Sequence, residues 1–147
     1  MDSFFRIITI ISVGLMIGAE LAVWAFINPI LWRLEEPARM RAVGYFAKRL
    51  GTVMPFWYGL NLLLLITEAF LSRGHTGASL IGLAAGIWAA VIVLTVMFLV
   101  PINNRLARGT QPSLELAHRE HERWHAMHRA RVLALEAAMV LFLLAVS

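Results

Sequence analysis

The stretch Leu80–Ile102, LIGLAAGIWAAVIVLTVMFLVPI, runs for 23 residues without a charged side chain. As a helix it is about 35 Å long, enough to cross a bilayer core of about 30 Å. Its apolar residues fall on every face, whereas a helix of a soluble bundle keeps one polar side. Three more runs share this character: Ile7–Leu31, Val53–Leu71 and Ala130–Ser147. The fold class that follows is all-α, a four-helix transmembrane bundle in a single domain over residues 1–147. The first run is longer than the apolar part of a signal peptide and no small-residue cleavage site follows it, so it reads as a retained span.

Apolar residues make up 60% of the 147, which sets the chain apart from soluble globular proteins. The formal charge of +4 matters less than where the cations lie. Arg33, Arg39, Arg41, Lys48 and Arg49 separate the first two spans. Arg105, Arg108, Arg119, Arg123, Arg129 and Arg131 cluster around the third connection, and only Arg6 and Arg73 lie on the other side. The positive-inside bias places both long connections in the cytoplasm and both termini outside, as expected for a bacterial-type inner membrane. Membrane lipid is the partner this charge implies; nucleic acid is excluded, since no soluble basic groove remains to hold one. Cysteine is absent, which excludes disulfides, thiolate metal sites and covalent haem attachment.

Two segments repeat. Phe26–Leu34 and Phe98–Leu106 both read F-x-x-P-I-x-x-R-L, 72 residues apart, which suggests two helical hairpins related by an axis along the membrane normal. Pro29 and Pro101 each remove one helical hydrogen bond, freeing carbonyls near Ala25 and Met97. Glu35-Glu36-Pro37 breaks the first connection. Ala38–Leu50 reads as a short interfacial amphipathic helix, with Val43, Phe46, Ala47 and Leu50 on one side, and Gly51-Thr52 separates it from span two. Trp57 and Tyr58 suit an interfacial aromatic belt. Ser72–Gly77 is short, so spans two and three form an antiparallel pair. Gly109 and Pro112 end span three, and Ser113 is a suitable N-cap for a fourth helix with a polar cytoplasmic extension. Gly82, Ala85 and Gly86 permit close helix contact, within the chain or in a homo-oligomer.

Three acids lie in apolar spans: Glu20, Glu68 and Glu136. Each costs a few kcal/mol at membrane depth and is a functional candidate for that reason. Glu20, Trp24 and Asn28 share one helical face at i, i+4 and i+8. His118, His121, His125 and His128 share another, which runs on toward Glu136. His118 and His121 belong to the solvated end. His121-Glu122-Arg123-Trp124-His125 matches the H-E-x-x-H metallopeptidase pattern, yet no third ligand or downstream signature accompanies it. A transition metal ion held by His125 and His128 is the simpler metal reading.

Trp124-His125-Ala126-Met127-His128-Arg129-Ala130-Arg131 contains W-x-x-x-H-x-x-R, and Val100–Leu106 reads VPINNRL. With four spans and this length, the chain resembles the anthrone oxygenase-like (DUF1772) family over essentially its whole extent. The resemblance implies oxidation of an anthrone to an anthraquinone by dioxygen, with no cofactor required. Carried over by position, the residues it marks are Pro101, Asn103, Asn104, Trp124, His128 and Arg131. An anthrone has an acidic C–H beside a carbonyl, and the anion left by its removal reacts with dioxygen. His128 would serve as base. Arg131, Asn103 and Asn104 would stabilise the developing oxyanion, and Trp124 would stack on a flat apolar substrate. The expected pocket is cytoplasmic, lined by Asn28, Asn103, Asn104, His125, His128 and Arg131, with Trp24 on the substrate side and Glu20 and Glu136 deeper. Competing readings are a metal-binding membrane protein and a small proton-coupled carrier using Glu20 and Glu136.

Overall fold

In the computed structural model, which describes residues 2–108 and 114–147, every element is helical. Helix α1 comprises Asp2–Ala22, a π turn at Val23–Ile27 and a last turn at Asn28–Leu31. Helix α2 is Glu36–Leu71. Helix α3 comprises Ala78–Leu94, a π turn at Thr95–Leu99 and Val100–Arg108. Helix α4 is Leu114–Val146. The segments Ser3–Leu31, Glu36–Leu71 and Ala78–Arg105 are long and apolar enough to cross a membrane. Gly109, Pro112 and Ser113, expected at the α3–α4 junction, lie outside the described residues.

The internal repeat has a backbone counterpart. The two π turns sit 72 residues apart, and in each the N–H closing the wide turn reaches back five residues: Asn28 to the Val23 carbonyl and Val100 to that of Thr95. In both cases the next residue is the repeated proline, Pro29 or Pro101. A proline ring crowds the carbonyl four residues back and offers it no donor. Widening the preceding turn keeps the helix continuous, and such π bulges recur at functional sites.

The first connection follows expectation: Glu35 is extended (φ −57°, ψ 147°) and Pro37 enters the first turn of α2, where its missing N–H costs nothing. The separate amphipathic helix does not. Ala38–Leu50 and span two form one 36-residue helix through Gly51-Thr52 and past Pro55. Thr52 Oγ1 donates to the Lys48 carbonyl at 2.9 Å, and Ala47 and Leu50 pack inward, so tertiary contact outweighs the low helix propensity of Gly-Thr.

Each helix packs along two neighbours, α1 on α2 and α4, α3 on α2 and α4, and across the α2–α4 diagonal the Arg131 guanidinium lies 5.6 Å from the centre of the Tyr58 ring. Gly74, at φ 87°, turns the α2–α3 connection. Gly77 lies so close to α4 that a Cβ there would meet the Ala145 backbone oxygen. The half of the bundle nearest this connection is solid: Val13, Met16, Leu65, Ile81, Trp88, Leu135 and Phe142 interlock with almost no exposed surface. Ala85 joins this core, whereas Gly82 and Gly86 face outward. Large apolar side chains lie on the outer surface, with Phe26, Phe56, Leu63 and Val96 all more than half exposed, a pattern uncommon on helices that face water. The opposite half is hollow, and Glu20, Tyr58, His128 and Arg131 converge there.

Candidate active site

Glu20 is the centre of a buried polar knot. It sits on α1 just before the π turn and is 3% exposed. Tyr58 of α2 donates its hydroxyl to Glu20 Oε1 at 2.9 Å. Arg131 of α4 donates Nη2 to Glu20 Oε2 at 2.6 Å. The same guanidinium nitrogen donates to His128 Nδ1 at 2.8 Å. His128 Nε2 lies 3.2 Å from the Glu20 main-chain oxygen, so the neutral tautomer with its proton on Nε2 satisfies both ring nitrogens. His128 Nδ1 is also 3.3 Å from Glu20 Oε2, placed to donate there once protonated. Trp124 stacks on His128 with centroids 4.8 Å apart and planes 7° from parallel.

The knot forms one wall of a cavity of about 180 Å³ to which all four helices contribute. Its other walls are mainly apolar, including Val23, Leu50, Met54, Ile92 and Val96. Pro55 also lines it and, lacking an N–H, leaves the Gly51 carbonyl without its helical donor at the same wall. Thr95 Oγ1 and Arg131 Nε are buried on this cavity with no hydrogen-bond partner among the described residues. A smaller cavity of about 40 Å³ shares Val23, Leu50, Asn103 and Trp124 with it, and is bordered by Asn28 and His121.

Of the residues marked from sequence, Glu20, His128, Arg131, Asn103 and Trp124 meet at the main cavity. Asn103 Nδ2 also donates to the Ala47 carbonyl at 3.4 Å, tying α3 to α2. Asn28 is buried on the smaller cavity. The π turn between Glu20 and Asn28 breaks their i, i+8 register, so the two serve different hollows, and Trp24 lines neither. Asn104 is exposed, beside Lys48 and Arg108. Glu136 is half-buried and borders neither cavity.

Tyr58 is the cavity residue that the sequence reading missed. With Trp57 it was expected in an outward-facing aromatic belt, but both turn inward: Tyr58 to Glu20, and Trp57 Nε1 to Ser12 Oγ at 3.2 Å. Both carry a donor that needs a partner once buried, and Glu20 and Ser12 of the neighbouring helix provide one.

The histidine stripe splits by burial. His118 is exposed and pairs with Glu122 at 3.2 Å. His121, expected at the solvated end, is buried, with Trp32 edge-on to its ring at 4.6 Å. Burial, reinforced by His125, Arg39 and His118, pushes its pKa down from 6.5 to about 4. His125 opens on a surface hollow with His118 and Glu122. No three histidine or carboxylate side chains among the described residues are grouped as a metal site, and His128 faces a guanidinium instead.

These features define a class: an all-helical protein with membrane-length apolar helices and a buried acid–base cluster on an apolar cavity. A sequence model of the anthrone oxygenase family matches residues 42–141, and the chain belongs to that family. The match contains Tyr58, Asn103, Trp124, His128 and Arg131, while Glu20 lies before it. Comparison with curated proteins and with solved structures gives no match.

Proposed function

We propose that the protein is a membrane-embedded oxygenase-like oxidoreductase that oxidises an apolar, anthrone-like aromatic substrate with dioxygen. The observation that carries this reading is the Glu20–Tyr58–Arg131–His128 knot on the wall of an otherwise apolar cavity. The overall change converts a ring methylene to a carbonyl: one CH₂ and one O₂ give one C=O and one H₂O. The methylene loses four electrons and dioxygen gains them.

The chain's part is to make and hold the carbanion. The Glu20/His128 pair takes the proton. His128, the base expected from sequence, receives it at Nδ1, where the imidazolium then donates to Glu20 Oε2 across the 3.3 Å gap. Arg131, released from that nitrogen, faces the oxyanion growing on the substrate carbonyl. Trp124 holds the imidazole flat by stacking, and the apolar walls exclude water. Asn103 borders the same space; Asn104 takes no part from its exposed position.

In the proposed topology Ala130–Ser147 is the fourth span, the termini are outside, and the cavity lies toward the cytoplasmic face. Lipid surrounds the exposed apolar flanks. The test is substrate-dependent oxygen uptake by purified protein in nanodiscs supplied with an anthrone. One O₂ consumed per quinone formed, lost in His128→Ala with helicity and yield unchanged, supports the reading. Full uptake in that variant removes His128 as the base, and no uptake by the unaltered protein removes the oxygenase reading.

A further inference from the structure

The cavity has a buried end and an open end. Glu20, Tyr58 and His128 close the inner wall, all at most 5% exposed. The exposed lining residues are Gly51 and Pro55 on α2 and Val96 on α3. They face one another across the α2–α3 contact, in segments of membrane-spanning character. Around Pro55 and Val96 the exposed neighbours, Val53, Phe56 and Val93, are apolar, whereas Gly51 marks the polar edge of the opening, beside Lys48 and Arg108. Two backbone irregularities flank this gap, Pro55 in α2 and the π turn Thr95–Leu99 in α3.

Volume and unmet hydrogen bonds limit what fits. An apolar cavity of about 150 Å³ takes one benzene ring. Pockets enclosing a whole drug-sized molecule start at about 300 Å³. At about 180 Å³ the space holds one aromatic ring, two at most, and the rest of a larger ligand must protrude. The buried Thr95 Oγ1 and Arg131 Nε, both unpartnered among the described residues, call for an oxygen on the part that goes in.

We infer that the site admits its ligand sideways from the bilayer between α2 and α3, taking in the oxygen-bearing ring of a lipid-dissolved hydroxy- or keto-arene with at most one ring fused to it, and leaving any further ring or tail in lipid. The inference rests on the substrate class proposed above and adds the route and the depth of insertion. It holds for a ligand of two rings as well as three, because the outer part of the molecule is not enclosed.

The test uses the full-length protein in nanodiscs and 1-naphthol, followed by stopped-flow fluorescence of the naphthol against empty nanodiscs. Saturable association is expected. Val96→Phe and Met54→Phe, which narrow the gap, slow it by about tenfold, while Leu83→Phe, lipid-facing on the solid half of α3, leaves it unchanged. A naphthol sulfonate, which stays in water, shows no saturable association. Naphthol binding that is absent in the unaltered protein, wild-type rates in both narrowed variants, or equal binding of the sulfonate overturns the inference. The readout needs no turnover. Gated naphthol binding without anthrone-dependent oxygen uptake would therefore leave the lateral route standing and remove only the oxygenase reading.

Discussion

Replacing Arg131 by methionine isolates the contact that joins α1 to α4. The guanidinium is 12% exposed and the Glu20 carboxyl 3%, at 2.6 Å. Removing the cation leaves a buried carboxylate with the Tyr58 hydroxyl at 2.9 Å and the His128 ring at 3.3 Å. Breaking a buried pair from one side costs about 3–5 kcal/mol. His128 can protonate and replace part of the lost charge, which places the expected loss near the lower end, about 3 kcal/mol. Removing both charges, as Glu20→Gln with Arg131→Met, leaves no buried ion and is expected within about 1 kcal/mol of the unaltered protein. The cycle then yields a coupling of about 2 kcal/mol or more, well above the few tenths seen for independent sites. Reversible unfolding in mixed micelles, followed by circular dichroism, measures all four corners. A loss below about 0.5 kcal/mol for Arg131→Met, with coupling near zero, would refute the claim that this pair holds the knot together.

Tyr58→Phe keeps the ring against Trp88 and removes one donor to Glu20; a loss of about 1–2 kcal/mol is expected by the same unfolding assay, with lower anthrone-dependent oxygen uptake. Gly77→Ala drives a Cβ into the Ala145 backbone oxygen and should cost about 1–3 kcal/mol, whereas Gly82→Ala, with nothing within 4 Å, should be neutral or slightly stabilising. His121 has a folded pKa of about 4 against 6.5 unfolded, so between these values the unfolded chain binds more protons. Its contribution is complete above pH 6.5 and is lost as pH falls toward 4. Stability followed from pH 7 to 4 should therefore decline, and less steeply in His121→Gln.

The helices were legible because their apolar runs are long and carry very few charges, and the repeated F-x-x-P-I motif marked where α1 and α3 deform. That the deformation is a π turn was not readable: the motif names the proline, while the carbonyl it crowds can be accommodated by a kink or by a wider turn. Glu20 stood out as an expensive group in an apolar run and His128 and Arg131 through the W-x-x-x-H-x-x-R motif, and the knot is their mutual compensation. Glu136 stood out for the same reason yet borders neither cavity, since a helical face extended over many residues drifts away from any fixed neighbour. Tyr58 was hidden by its position: an aromatic near a span boundary looks like a membrane anchor until the facing helix supplies an acceptor. Gly51-Thr52 read as a break because local propensity was weighed without the α3 side chains that pack on that turn.

The most direct measurement compares anthrone-dependent oxygen uptake in nanodiscs for Glu20→Gln and Glu136→Gln. Both remove one intramembrane carboxyl without changing its shape, and only Glu20 belongs to the knot. An acid–base group in the reacting cluster contributes about 10²–10⁴-fold, so uptake in Glu20→Gln should fall by at least about a hundredfold. Uptake in Glu136→Gln should stay within about twofold of the unaltered protein, a change under about 0.5 kcal/mol. Undiminished uptake in Glu20→Gln, or its loss in Glu136→Gln alone, would contradict the assignment of the chemistry to this knot.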